Sequence, residues 1–352
     1  MNRIILNDKN AKQLGRTLIS EDEIRLVLSG TGCEFTFTGR RLTLTLGCGE
    51  DCLRSGNPDH FPRIAILADG RTVVKKSLTA LRESFTVHNS ETPETVTVRI
   101  IKLSEAAYGD AVVFPVETED GEYIAPTAER GMKIEFIGDS ITCGYGVDCS
   151  KPESEFSTST ENVMKSYSCR TAELLDADYS MFSASGYGII SGYTDDGSGN
   201  FSEIIPPFYE SFGDSQYLSG KKRPQDIAWD FSRFVPDAVV INLGTNDHSY
   251  CRENAELKRK FEDAYLAFIR TVRSKNSEAM IFCVLGIMET DLYPQVESTV
   301  QRYSDETGDM RIRTLEFDRQ DGTLGFSTNW HPSEDTHLFA AEKLAEFIRQ
   351  VM

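Results

Sequence analysis

The fold of this chain is decided by Ile134-Glu135-Phe136-Ile137-Gly138-Asp139-Ser140-Ile141-Thr142, a short apolar run that ends in a polar turn. The run predicts a buried strand, and Gly-Asp-Ser predicts a turn into a helix or loop. This order places Ser140 at the carboxyl end of the strand, the edge at which open α/β sheets bind ligands. Asp139 or Ser140 could instead be only a helix N-cap, and the tripeptide alone does not separate the two interpretations.

Strands and helices alternate around this stretch. Further apolar strands are predicted at Tyr179–Phe182, Ala238–Leu243 and Ile281–Leu285, with helices at Tyr167–Leu175, Phe261–Val272 and Thr336–Val351. This order indicates an α/β domain, a parallel sheet with helices on both faces.

The first part of the chain is predicted to be an all-β sandwich. Cys33–Thr38 alternates apolar and polar residues, residues 42–46 do the same, and Gly39-Arg40 between them predicts a hairpin turn. A second hairpin is predicted at Asp69-Gly70, joining Ile64–Leu67 to Thr72–Val74, and Thr95–Ile101 is another strand. The pattern changes near residues 125–131, so we predict an N-terminal domain over 1–125 and an α/β domain over 131–352.

Composition narrows the class of protein. The 352 residues carry 55 acidic and 37 basic side chains, a formal charge of −18 that argues against nucleic-acid and anionic membrane partners. No apolar run approaches the length of a membrane-spanning helix, and the N-terminus shows no signal-peptide core, so we expect a cytoplasmic protein. The eight cysteines lack C-x-x-C spacing, so we expect free thiols, with Cys33 and Cys283 in the core.

Three further segments have residue types suited to acyl transfer. Asn246 follows the strand Ala238–Leu243, and its amide could donate to a developing oxyanion. Gly186 follows the strand Tyr179–Phe182 and would let backbone N–H groups approach a substrate. Each could also be an ordinary turn residue. His331 precedes the last helix in Asn329-Trp330-His331-Pro332, whereas His60, His88 and His248 have no matching catalytic context.

Taken together, these segments resemble the SGNH (GDSL-type) hydrolases, whose Ser, Gly, Asn and His occur in this chain order. The resemblance implies that Ser140 is the nucleophile and that His331 is its base. It also implies that the oxyanion hole is formed by the N–H groups of Ser140 and Gly186 and by the Asn246 amide.

A closer resemblance is to carbohydrate esterase family 2. It is supported by a jelly-roll-like β-sandwich before the hydrolase domain, by Glu105-Ala106-Ala107-Tyr108-Gly109, and by Trp330 directly before His331. Many SGNH enzymes have an Asp three residues before the His, but this position is Thr328 here. Family 2 esterases are known for lacking that Asp. The resemblance further implies that Trp330 packs against a sugar ring, although plain core packing is the alternative.

The sequence therefore predicts a carbohydrate acetyl esterase that uses a Ser–His pair and an acetyl-enzyme. Its substrates would be plant oligosaccharides from xylan, mannan or glucomannan, and it could also transfer the acetyl group to another hydroxyl. Tyr145, Tyr187 and Trp330 are predicted to contact substrate, and the reaction needs no metal or organic cofactor. The alternatives are a lipase or lysophospholipase of the same superfamily, and a non-catalytic carbohydrate-binding protein.

Overall fold

The computed structural model describes residues 2–119, 121–218 and 220–352, which form two compact units. The chain passes from the first unit to the second between Arg130 and Gly131. Residues 156–161 and 211–229 lie later in the sequence but belong to the first unit. The sequence predicted one division of the chain, with domains at 1–125 and 131–352. That division leaves these two segments out of the first domain.

The first unit is mostly β, as the sequence predicts. Its strands are β1 Asn2–Ile4, β2 Lys12–Leu14, β3 Thr17–Ile19, β4 Ile24–Leu26, β5 Gly32–Cys48, β6 Arg63–Ala68, β7 Arg71–Ser77, β8 Glu83–Lys102, β9 Ala111–Val113, β10 Val116–Thr118 and β11 Tyr123–Pro126, with one short helix, α1 Glu50–Ser55. The main sheet has the order β3-β4-β9-β5-β8-β6-β7, with β2 and β11 also paired to β5, while β1 pairs with β10. Phe35, Phe37 and Leu44 on β5 are fully buried in its core.

The two predicted hairpins have different outcomes. Asp69 and Gly70 join β6 to β7 with φ of 46° and 75°, as a two-residue turn of this kind requires. The predicted turn at Gly39-Arg40 is wrong, because β5 continues through it beside β8, with only a register shift. Close packing explains the glycine at position 39 instead, because a Cβ there would lie 2.5 Å from the Phe37 ring and 2.6 Å from the Glu122 carboxylate.

The second unit is a five-stranded parallel sheet flanked by helices. Its strands are β12 Met132–Gly138, β13 Ala177–Ser183, β14 Ala238–Asn242, β15 Met280–Leu285 and β16 Ile312–Glu316. Its helices are α2 Ser140–Cys143, α3 Tyr167–Leu174, α4 Thr245–Cys251, α5 Ala255–Lys275, α6 Tyr293–Thr307 and α7 Glu334–Val351. All four strands and three helices predicted in this half from their apolar patterns are present. The prediction omitted β16, α4 and α6, and α6 buries only a narrow stripe that includes Thr299 and Tyr303.

The strand order of this sheet determines where a site can form. The order is β13-β12-β14-β15-β16, so the chain leaves β12 to one side for β13 and then returns to the other side for β14. A crevice opens at the carboxyl ends of strands where the order reverses in this way. Ser140 follows β12, Gly186 follows β13 and Asn246 follows β14, and all three therefore lie at this edge. No helix in the described parts of the chain is both long and apolar enough to cross a bilayer.

Candidate active site

The turn after β12 combines the two roles that the sequence left open. Asp139 is the N-cap of α2, and its Oδ1 accepts a hydrogen bond from the Ile141 N–H at 3.0 Å. Ser140 is the first helical residue and lines a cleft. The capping residue and the candidate nucleophile are thus neighbours, and the cap fixes the backbone that carries the hydroxyl.

His331 contacts Ser140 with one ring nitrogen and backbone carbonyls with the other. Its Nε2 lies 2.9 Å from Ser140 Oγ. Its Nδ1 lies 3.2 Å from both the Thr328 and the Asn329 carbonyl oxygens. Because a carbonyl can only accept, Nδ1 carries the proton, and the lone pair of Nε2 faces the serine hydroxyl. This is the protonation state that a general base for Ser140 requires.

The carbonyls reach His331 through an unusual turn. Asn329 and Trp330 have φ of 51° and 61°, a left-handed conformation that costs free energy for residues other than glycine. Hydrogen bonds hold the turn, since the Asn329 N–H donates to the Pro152 carbonyl at 2.9 Å and Gln320 Nε2 donates to the Trp330 carbonyl at 2.8 Å. The position from which an Asp would orient His331 in a triad is therefore occupied by backbone.

The surroundings of His331 keep its imidazole neutral. Burial lowers the pKa of His331 to about 4, because the charged form loses hydration, and the hydrogen bonds from Nδ1 to the Asn329 and Thr328 carbonyls partly offset this. The ring still borders the cleft. At neutral pH, His331 is therefore an unprotonated base in contact with the serine hydroxyl.

The three residues predicted to form the oxyanion hole, Ser140, Gly186 and Asn246, all line the cleft. Within the described chain, the N–H groups of Ser140 and Gly186 donate to no protein acceptor, and Gly186 has φ of 81°. Asn246 Nδ2 donates to the Tyr187 carbonyl at 2.8 Å, and its contact with Asp139 Oδ2 is a long 3.4 Å. One amide proton of Asn246 is thus held by Tyr187, and the other makes only the long bond to Asp139, which a ligand oxygen in the cleft would have to replace.

Asp247, the neighbour of Asn246, organises the loop that carries Gly186. Its carboxylate accepts hydrogen bonds from the backbone N–H groups of Ile189, Ile190 and Ser191 at 2.7 to 3.2 Å. Burial raises the pKa of Asp247 to about 6, and these three bonds limit the rise. Burial likewise raises the pKa of Asp139 to about 7, with a contribution from the charge of Asp247. The sequence predicted at most an N-cap role for Asp139 and no role for Asp247.

The cleft at this edge has a volume of about 690 Å³. Its lining includes Ser140, Tyr145, Ser185, Gly186, Tyr193, Thr245, Asn246, His248, Ser249, Met288, Glu289, Asn329, Trp330 and His331. Of the three predicted substrate-contacting aromatics, Trp330 and Tyr145 line the cleft and Tyr187 does not. The Tyr187 ring lies near Phe208, with ring centroids 6.4 Å apart, and its carbonyl holds Asn246.

One end of the cleft has a polar cluster that the sequence did not indicate. His248 lies 3.4 Å from Glu289 and 3.3 Å from Asp291, and the three side chains could together ligate a metal ion. Arg319 already contacts Glu289 at 2.9 Å, so the negative charge of the cluster is partly balanced by protein groups. His248 follows Asn246 by two residues on α4, and its position on that helix was the only available signal.

Two family models match this chain. The one described as the GDSL-like Lipase/Acylhydrolase family matches residues 136–337. The one described as Carbohydrate esterase 2 N-terminal matches residues 13–127. The first covers the β12-to-α7 region that carries the cleft, and the second covers most of the β-rich unit.

Individual relatives agree with both matches. The Cellulase/esterase CelE of Acetivibrio thermocellus is 33% identical over 329 residues, which are 91% of this chain but 37% of that relative, so the chain spans little more than a third of its length. The Acetylxylan esterase / glucomannan deacetylase of Cellvibrio japonicus is 25% identical over 355 residues, 99% of this chain and 91% of the relative.

A solved structure covers both units of the chain. A family two carbohydrate esterase from Clostridium thermocellum, in complex with cellohexaose, is 30% identical with a TM-score of 0.81. The match covers 97% of this chain and 98% of that one. The resemblance inferred from Ser140, Gly186, Asn246 and His331 is thereby confirmed at the level of the family. This chain belongs to carbohydrate esterase family 2, within the GDSL-like lipases and acylhydrolases.

Proposed function

We propose that this protein is a carbohydrate acetyl esterase that works through a Ser140–His331 dyad. The observation that carries the proposal is the 2.9 Å contact between His331 Nε2 and Ser140 Oγ, with Nδ1 directed at two carbonyls. Family membership supports ester hydrolysis, and the Cellvibrio japonicus relative is named an acetylxylan esterase / glucomannan deacetylase.

In the first chemical step, Ser140 Oγ attacks the acetyl carbonyl carbon while Nε2 of His331 takes the hydroxyl proton. The carbonyl oxygen becomes an oxyanion beside the N–H groups of Ser140 and Gly186 and the amide of Asn246. One such donor typically lowers the barrier by roughly 3 to 4 kcal/mol. His331 then returns the proton to the sugar oxygen, which leaves as the alcohol.

In the second step, water attacks the acetyl-enzyme and His331 takes its proton, so that acetate and free Ser140 are released. A sugar hydroxyl could attack in place of water, which would transfer the acetyl group. Hydrolysis and transfer require the same dyad and donors. Comparing acetate release with newly acetylated acceptor sugar would measure their ratio.

We propose acetylated β-linked glycan fragments from xylan or glucomannan as substrates. Trp330 supports this choice because 54% of its surface is exposed at the cleft, which leaves a face for a sugar ring. A structurally similar family 2 esterase was solved with cellohexaose. Cellohexaose should therefore inhibit this enzyme competitively if the glycan backbone occupies the same cleft.

The decisive experiment is acetate release from acetylated xylan and mannan oligosaccharides, with NMR to identify the hydroxyls that are cleared. Ser140→Ala should lose at least about a thousandfold in kcat while retaining its melting temperature, as in other serine hydrolases. Glu334→Gln is the matched control, because Glu334 contacts Lys165 and Arg170 rather than His331. More than a few per cent of activity in Ser140→Ala would refute the proposal.

The same assay separates the alternatives. A lipase or lysophospholipase would hydrolyse long-chain nitrophenyl esters faster than acetate esters, whereas the proposal predicts the reverse. A non-catalytic binding protein would retain glycan affinity and release no acetate. The expected cytoplasmic location remains a prediction from the N-terminal sequence, and fractionation of the source cells would test it.

A further inference from the structure

Tyr145 contacts the histidine loop at three points. Its ring is stacked on the His331 imidazole, with centroids 4.2 Å apart and planes 26° from parallel. Its hydroxyl accepts a hydrogen bond from Asn329 Nδ2 at 2.9 Å. Its carbonyl accepts a longer bond of 3.4 Å from Ser327 Oγ. These contacts join Tyr145 to both sides of the turn that precedes His331.

Tyr145 is also tied to the nucleophile. The Tyr145 N–H donates to the Ser140 carbonyl at 3.1 Å, in the tight turn that ends α2. Gly144 makes this turn possible with φ of 74°. A Cβ at Gly144 would lie 2.6 Å from the Asn162 carbonyl oxygen, so this position requires glycine. One residue therefore connects the serine turn with the histidine turn.

Asn329 is the link between Tyr145 and the proton on Nδ1. Its carbonyl is one of the two acceptors 3.2 Å from His331 Nδ1, and its left-handed conformation, with φ of 51° and ψ of 40°, aims that carbonyl. The bond from its side chain to the Tyr145 hydroxyl favours this left-handed conformation over the extended one. The hydroxyl of Tyr145 thus contacts the residue whose carbonyl accepts from Nδ1, and its ring packs on the imidazole itself.

Among the residues that the structure describes, no carboxylate accepts a hydrogen bond from His331 Nδ1. Thr328, at the position of the usual Asp, hydrogen-bonds to Ser154 through its hydroxyl at 3.1 Å. Glu334 is paired with Lys165 and Arg170, and Asp335 is exposed in the first turn of α7. His331 has only carbonyls on Nδ1 and an aromatic ring on its face.

We propose that Tyr145 is a positioning residue that, through Asn329, takes over the orienting role of the missing carboxylate. Its hydroxyl keeps the Asn329 carbonyl aimed at Nδ1, which fixes the tautomer. Its ring holds the plane of the imidazole and lies over it when His331 becomes a cation during turnover, an arrangement in which the π face attracts positive charge. The proposal rests on the proposed function, and it changes the expected role of Tyr145 from substrate contact to orientation of the base.

The test uses Tyr145→Phe, which keeps the ring and removes the hydroxyl, and Tyr145→Leu, which removes both. Tyr303→Phe is the matched control, since it loses one tyrosine hydroxyl that contacts Asp309 from α6. Kinetics on a neutral sugar acetate give kcat and KM. Long-range ¹H–¹⁵N spectra of the histidines report which nitrogen of His331 carries the proton.

We expect Tyr145→Phe to lose about tenfold in kcat and Tyr145→Leu about a hundredfold, each with little change in KM, as for a group that acts on orientation in the transition state. His331 should be purely Nδ1-protonated in the wild type and a mixture of tautomers in both variants. Tyr303→Phe should match the wild type in kcat and tautomer, whatever its melting temperature.

Two results would overturn the inference: a raised KM with unchanged kcat, which is the signature of substrate contact, or an unchanged tautomer in both variants. If Tyr145→Leu does not fold, Tyr145→Phe alone decides. Ser140→Ala in the same assay distinguishes the two proposals. An active Ser140→Ala refutes the proposed function, whereas an inactive Ser140→Ala beside wild-type Tyr145 variants refutes only the role of Tyr145.

Discussion

At the scale of single residues, the site is built around a histidine that is kept neutral. In a triad, a buried carboxylate both fixes the tautomer of the base and stabilises the imidazolium. Carbonyls at Thr328 and Asn329 can fix the tautomer equally well, but their partial charges stabilise the cation less. Burial lowers the pKa of His331 to about 4, and the two carbonyls offset only part of this fall.

The first prediction concerns the acid limb of the pH profile. The dyad works only while His331 is neutral, so activity is lost as pH falls through its pKa. We expect the limb of kcat/KM that reports protonation of His331 to lie near about pH 4, following its pKa of about 4, and to be separate from any change caused by protonation of Asp247 near 6 or Asp139 near 7.

Enzyme that is held at each pH and then assayed at neutrality serves as the control for acid unfolding. Titration of the His331 ring, followed by its ¹⁵N shifts, near the ordinary histidine pKa of about 6.5 would contradict the burial argument.

The second prediction concerns Trp330, whose side chain is exposed at the cleft and packs only edge-on against Phe326. Removing it should leave the dyad in place and remove a surface for a sugar ring. We expect Trp330→Ala to reduce kcat/KM about tenfold or more on sugar acetates, and by much less on a small aryl acetate.

Phe339→Ala is the control, because Phe339 is similarly exposed (51%) on α7 and does not line the cleft. Equal losses of Trp330→Ala on both substrates would mean that Trp330 is structural.

At the scale of elements, three of the candidate site residues follow the ends of neighbouring strands. β12, β13 and β14 lead into Ser140, Gly186 and Asn246, and their parallel pairing brings these ends together. The segment after β13 has little regular structure, so its backbone N–H groups need other acceptors. Asp247 on α4 supplies three of these bonds through one carboxylate.

The third prediction tests this connection. Asp247→Asn replaces one acceptor oxygen by an NH₂ group that faces backbone N–H donors, so the loop should shift and carry Gly186 with it. We expect kcat to fall at least about tenfold with a smaller change in KM, since oxyanion donors act mainly in the transition state.

Asp196→Asn is the matched control. Asp196 is exposed in the same segment, where it accepts bonds from Thr194 and Ser198 without reaching the cleft. If Asp247→Asn keeps wild-type kcat, the donors do not depend on this carboxylate.

At the scale of the whole molecule, we expect the net charge to favour neutral over anionic substrates. The chain has a formal charge of −18, and a field of that sign disfavours the approach of anionic substrates over distances of about the Debye length. Neutral acetylated oligosaccharides experience no such repulsion. The candidate catalytic residues Ser140, Gly186, Asn246 and His331 all belong to the second compact unit.

The fourth prediction follows from this charge. An acetylated xylan fragment that carries a uronic acid should have a severalfold lower kcat/KM than its neutral counterpart at low salt. The difference should shrink strongly near about 0.5 M salt, where the Debye length is about 4 Å and the long-range field of the protein is screened. The neutral fragment serves as the control and should respond little to salt. A difference that persists at high salt would indicate a steric or local cause.

Much of this molecule could be predicted from local patterns. Apolar runs such as Ile134–Ile137 and Ala238–Leu243 identified buried parallel strands, because such strands lose both faces to the core and have no polar alternation. Asp69-Gly70 identified a hairpin, because the turn needs two positive φ angles. The four family residues could be placed because each follows a strand or precedes a helix of this pattern.

Other features depended on residues distant in sequence. The sequence predicted a turn at Gly39. In the structure β5 continues through this residue beside β8, and the Phe37 ring and the Glu122 carboxylate fill the space next to it. Segments 156–161 and 211–229 belong to the first unit although they lie beyond the linker. His248 showed no catalytic context in sequence, and Glu289 and Asp291 reach it from another loop.

The sequence by itself determined the alternation of strands and helices along the second half of the chain, the edge of the sheet at which the site forms, and the absence of an acid at Thr328. Only the tertiary structure decided what replaces that acid: two carbonyls in a left-handed turn, steadied by Tyr145 from a loop 184 residues away. The physical reason is that a carbonyl is present at every residue and therefore leaves no signal in sequence. Its direction depends on φ and ψ, and those angles are set here by contacts that form only when the chain has folded.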